Sequence, residues 1–145
     1  MRKLTMIPLL AVVVAVVATS CSSIAPIAVT ARDVCFECRQ GIAEPRLAAE
    51  LIDSNQMAYK FGSARCLAKY LGEHPGETGT LFVTDFKTGQ MVTVDQATFV
   101  PIILDANTGR RDFRAYSDAQ EAEAAARDLK VGPTNWQGVL TGAKS

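Results

Sequence analysis

The repeated order of strand and helix signals constrains this chain most. Phe61-Gly62-Ser63-Ala64 and Tyr116-Ser117-Asp118-Ala119 each read as a strand end, a polar N-cap and a helix start, about 55 residues apart. Ahead of the first transition, residues 47–52 are apolar-rich, and Met57, Tyr59 and Phe61 alternate as in a half-buried strand. Behind it, residues 64–71 read as a helix, with Pro75-Gly76 just past its end. Residues 80–86 return as a strand, Lys87-Thr88-Gly89-Gln90 supplies a turn, and residues 91–94 form the hairpin partner.

The second half follows the same order. Residues 99–104 are an apolar strand in which Pro101 points to an edge or a bulge. Asn107-Thr108-Gly109 is a turn, and residues 113–116 are the next strand. Asp118 and Glu121 have capping-box spacing at the start of an alanine-rich helix, 119–129, which Gly132-Pro133 terminates. Residues 136–140 are expected as a short final strand, with a loose tail from Thr141. Few helices over mostly antiparallel strands make an α+β domain of two tandem ββαβ units, about 33–90 and 91–140, with two main helices.

The N-terminus reads as a targeting segment. Arg2 and Lys3 precede an apolar run over residues 7–18, shorter than the roughly 20 residues a spanning helix needs. Ala18-Thr19-Ser20-Cys21 resembles a bacterial lipobox, which implies acylation of Cys21 after removal of residues 1–20. The expectation is a protein of the cell envelope, lipid-anchored to the inner or outer membrane and facing the periplasm or the extracellular side. Residues 21–32, with Pro26, are expected to be a disordered tether. Removing the signal takes away only Arg2 and Lys3 from an even balance of 15 basic and 15 acidic residues. There is no basic footprint for nucleic acid, and membrane contact is expected through lipid rather than through a basic patch.

Setting Cys21 aside leaves Cys35, Cys38 and Cys66, an odd number of thiols that one disulfide cannot use up. In Cys35-Phe36-Glu37-Cys38, Gly41 and Pro45 interrupt any helix starting at Cys38, so the pair is expected on a tight knuckle. Cys66 falls in the first helical turn after Ser63, where free amides and the helix dipole favour a thiolate. Arg39 and Arg65 stand nearby in sequence. Three thiolates suit Cu(I) or another soft metal, whereas zinc wants a fourth ligand. His74, the one histidine, is eight residues past Cys66, roughly 12 Å along a helix, and is expected at the helix end rather than on the metal. Met57 and Met91 are expected in the core.

The lipobox, the Cys-x-x-Cys knuckle, Phe61-Gly62-Ser63-x-x-Cys66-Leu67 and Val83-x-Asp85 together resemble the NosL family of nitrous-oxide-reductase accessory lipoproteins. The resemblance spans most of residues 33–130. It implies a tandem ββαβ fold, Cu(I) binding, and partners among copper-enzyme apoproteins or other assembly factors. Two family elements differ. Cys38-Arg39-Gln40 puts glutamine where the pattern has methionine, and Thr108-Gly109-Arg110 replaces a Pro-Met-Gly element ahead of Ala115-Tyr116. Cys38 carries over from the family as a copper ligand, and Cys35 and Cys66 join it on chemical grounds.

Two other readings stay open: a thiol–disulfide protein using Cys35 and Cys38, and a lipoprotein whose cysteines are structural and which binds another protein. No Ser/His/Asp set, metalloprotease helix motif or phosphate-binding glycine loop is present, and an enzyme is not expected.

Overall fold

The computed structural model describes residues 23–144, so the expected signal peptide and the Cys21 anchor lie outside the described residues. The fold is α+β. A four-stranded antiparallel sheet has the order β2-β1-β3-β4, with β1 Ala49–Asp53, β2 Ala58–Phe61, β3 Gly79–Thr84 and β4 Met91–Thr93. A second sheet is the hairpin of β5 Thr98–Asp105 and β6 Arg110–Tyr116. Helix α1, Ala64–Glu73, follows β2; α2, Ala119–Leu129, follows β6; α3, Trp136–Gly142, closes the chain. Among the described residues, no helix is long and apolar enough to cross a membrane.

Each expected strand–strand–helix order is present, and the local chemistry explains the boundaries. Pro45 starts a short 3-10 turn, Pro45–Leu47, which delays β1 to Ala49. Ser63 caps α1 by accepting a hydrogen bond from the Cys66 amide at 3.2 Å. Asp118 caps α2 by accepting from the amides of Gln120 and Glu121 at 2.8 and 3.4 Å. The capping box is only half formed, because the Glu121 carboxylate takes Lys87 Nζ at 2.5 Å instead of reaching back. Pro101 lies opposite Phe113 in β5, an edge strand of the two-stranded sheet. The neighbouring Phe99 exchanges amide and carbonyl bonds with Thr134 at 2.8 Å, and β5 carries its irregularity at Ile103/Asp105.

Four expectations are corrected. Residues 136–140 are helical, not a strand: Asn135 accepts from the Gly138 amide at 3.1 Å, and Trp136, Val139 and Leu140 pack on the core at helical spacing. The second unit therefore ends in the single bridge Phe99–Thr134 and α3, where the first has a strand. The tail is not loose at Thr141, which lies within α3 and donates from Oγ1 to Gln137 O at 3.0 Å. The tether is ordered from its middle onward: the Ile27 amide donates to Glu50 at 2.9 Å, Lys60 Nζ donates to Ala28 O at 3.2 Å, and Val29 packs on the core. Met57 is also not a core residue. It is 58% exposed at the start of β2, while Met91 is half-buried.

One core joins the two sheets. Leu51, Phe61, Leu67 and Val83 from the first half meet Phe99, Phe113, Ala115 and Val139 from the second. At about 25 cal/mol per Å2 of apolar surface, each large side chain here contributes roughly 2 kcal/mol by leaving water. A smaller cluster of Val100, Tyr116, Ala122 and Ala126 holds α2 on the hairpin. Asp85 fastens the junction: its carboxylate accepts from the amides of Lys87, Thr88 and Ser117 at 2.8, 2.9 and 2.8 Å and from Ser117 Oγ. Burial alone would raise this carboxyl, but those four donors overcome it and hold the pKa at about 2.

Candidate metal centre

The chain from Val34 to Gly41 folds back on itself. Val34 and Gly41 bridge as antiparallel neighbours, the Cys35 amide donates to Gln40 O at 2.8 Å, and the Arg39 amide donates to Cys35 O at 2.9 Å. Arg39 takes a left-handed φ of 61° to close the turn. This is the expected knuckle, with no helix after Cys38. It is anchored in three ways. The Phe36 amide donates to Lys60 O at 2.8 Å on β2. The Phe36 ring lies edge-on to Tyr59, Phe61 and Tyr70, 4.9 to 6.3 Å between centroids. Glu37 accepts from Lys69 Nζ of α1 at 2.6 Å.

The result brings Cys35, Cys38 and Cys66 together. Their three sulfurs lie within 4.8 Å of one another, all as free thiols. At a metal–thiolate bond of about 2.3 Å, three sulfurs around one ion stand about 4 Å apart, so the cluster fits a single soft ion after small adjustment. Cys35 is buried, Cys66 half-buried and Cys38 exposed, so the cluster has a floor and an open side.

The protons are not distributed as the helix dipole alone predicts. The Cys66 thiol donates to the Cys35 sulfur, which pulls Cys35 far down; burial opposes this, and the amides of Cys38 and Gly62 and the Cys38 thiol assist. The same bond, together with burial, holds the proton on Cys66 and pushes it up despite Ser63. The first thiolate therefore forms at Cys35, not at Cys66: a shared proton between adjacent sulfurs outweighs the helix end. Of the two arginines expected nearby, Arg39 lays its guanidinium on the Phe36 ring at 4.6 Å, and Arg65 lines the cleft.

The thiols open into a cleft of about 420 Å3 rimmed by Arg65, Lys69, Arg110 and Arg111, with Glu44 and Asp112 among its acidic residues. Burial pushes the Asp112 carboxyl up, while Ser63 and the amides of Phe113 and Arg65, at 2.8 and 3.4 Å, pull it back. Asp112 thus ties the tip of the second hairpin to the residue that caps α1. Sequence reasoning did not find Asp112 or the Glu37–Lys69 pair. Only the latter left a trace, as two opposite charges on segments whose neighbouring cysteines must converge. His74 stays out of the cluster as expected; it ends α1, stacks on Tyr70 at 4.2 Å, and its Nδ1 lies 2.9 Å from Tyr70 O.

Fold and site together define a small α+β domain that presents three converging thiols at a helix start. No family model and no curated protein matches the sequence. Among solved structures, the fold is similar to the crystal structure of the copper chaperone NosL from Shewanella denitrificans. The likeness has a TM-score of 0.64 at 17% identity and covers 79% of this chain and 95% of that one. The α+β fold class expected from the family resemblance is therefore observed, with α3 in place of the last expected strand.

Proposed function

We propose that this protein is a membrane-anchored accessory protein that binds Cu(I) as cargo and passes it to the apoprotein of a copper enzyme, of which nitrous oxide reductase is one example, or to another assembly factor. The observation that carries this reading is the convergence of Cys35, Cys38 and Cys66 within 4.8 Å. The likeness of the fold to that of a copper chaperone supports it. Cys35 and Cys66 form the inner part of the site, and the exposed Cys38 is the sulfur through which an acceptor thiol or thioether begins exchange. Soft sulfur donors in a set of three favour Cu(I) over zinc, for which a fourth donor is wanted and His74 stands at the wrong end of α1. The role needs no bond making in a substrate, and we assign no catalysis. Attachment through an acylated Cys21 places the site at the envelope face of the membrane.

Anaerobic titration of a chain starting at Ser23 with Cu(I), against a chromogenic chelator, tests the reading. One tight equivalent is expected, lost in Cys38→Ser and in Cys66→Ser. No tight equivalent, or binding unchanged in both variants, removes it. Mass spectrometry of the full chain from membranes tests the Cys21 acylation separately.

A further inference from the structure

Away from the thiols, Ile103 and Leu104 of β5 and Leu129 and Val131 at the C-terminal end of α2 are all exposed, at 64, 37, 44 and 38%. They line one groove of about 580 Å3 together with Arg111 and Arg114, and no carboxylate lines it. Four large apolar side chains beside two guanidiniums make an amphipathic surface rather than a solvated one. Arg114 lies over the Phe86 ring at 4.2 Å, and its buried Nε meets no acceptor. The stacking on Phe86 fixes the Arg114 guanidinium beside the groove.

The length of chain ahead of Ile27 limits how far this surface can stand from an anchor at Cys21. Ile27 is pinned to Glu50, so only five residues separate Cys21 from the folded body, about 20 Å when fully extended. If Cys21 carries lipid, as in the function proposed above, on which this inference rests, the domain stays against a bilayer. We propose that the groove between β5 and the end of α2 docks on an anionic lipid surface, with Ile103, Leu104, Leu129 and Val131 entering the headgroup–acyl boundary and Arg111 and Arg114 binding phosphate. Binding of this kind scales with apolar area and with attraction to acidic lipids. Leu104 and Arg111 also line the thiol cleft, so docking sets the metal site beside the membrane surface.

Flotation with vesicles tests the groove without the anchor. A chain starting at Ser23 retains every core residue and lacks Cys21. It is expected to float with vesicles of equal parts phosphatidylglycerol and phosphatidylcholine, not with phosphatidylcholine alone, and to be released by salt. Ile103→Glu and Leu129→Glu replace side chains already in solvent, so both fold, as circular dichroism checks, and each lowers partitioning about tenfold. No flotation, equal flotation with both vesicle types, or folded variants that float like the parent would overturn the proposal. Dimer formation in sedimentation in place of flotation would assign the groove to a second copy instead. Because the assay needs neither metal nor lipidation, its failure is distinct from failure of copper binding or of acylation at Cys21.

Discussion

Glu37, on the two-cysteine knuckle, accepts from Lys69, one turn past Cys66 on α1, at 2.6 Å. The Glu37 side chain is 8% exposed and the lysine 55% exposed, so the pair acts as a clasp at the mouth of the thiol cluster. Its consequence is positional. Lys69→Ala is expected to fold with a modest loss of stability, since it leaves the nearly buried Glu37 carboxylate without its cation. It frees the knuckle to move away from α1, and Cu(I) affinity is expected to fall about tenfold, as for other residues that orient metal ligands. Competition titration and thermal unfolding on the same variant separate the two effects. Equal losses of stability and affinity would contradict the clasp.

Asp85 makes the fold acid-sensitive in a defined window. Its carboxyl is held at about 2 in the folded protein, against 3.8 ordinarily, because four donors converge on it. A depressed carboxyl stabilises the fold above the unfolded value, and that stabilisation is lost as pH falls through about 2. The shift corresponds to about 2 kcal/mol. Denaturant unfolding between pH 5 and pH 2 should show this loss, and Asp85→Asn should flatten the profile while lowering stability near neutrality.

Gly79 opens β3 opposite Asp53, and a methyl group there would stand 2.3 Å from the Ile52 carbonyl oxygen. The obstacle is backbone, which cannot rotate aside. Gly79→Ala is expected to lower stability by about 2 kcal/mol by prising β1 from β3. The three thiols sit elsewhere, so the Cu(I) stoichiometry of the folded fraction should be unchanged.

The last helix should matter as core rather than as tail. Val139 is fully buried, and Trp136 lies 5.8 Å from Phe99 between ring centroids. Val139→Ala is expected to cost about 2 kcal/mol through lost burial and the cavity left behind. A chain ending at Asn135 should melt at a distinctly lower temperature, whereas a solvated tail would leave both measurements unmoved.

Local pattern decided the elements of this protein. Ser63 and Asp118 mark helix starts because a short polar side chain can take up a free amide, and alternation through Tyr59 and Phe61 marks a strand because successive side chains face opposite ways. Gly41 and Pro45 after Cys38 already excluded a helix there, and with it the knuckle was legible. The pattern failed where a neighbour outweighed it. Residues 136–140 look strand-like alone, yet an Asn135 cap and the apolar side of α1 make them helical. Residues 27–29 look like a free tether until Glu50 and Lys60 claim their backbone.

The site divides the same way. Which side chains carry the chemistry was decided by residue type and order alone: three thiols, one misplaced histidine and no other soft donors at the knuckle. Their meeting point, the seat of the first negative charge on Cys35, and the guanidiniums and Asp112 around the cleft were decided only by the tertiary structure. Distances between segments about thirty residues apart, and the dielectric in which a sulfur sits, are properties of packing. No window of sequence contains them.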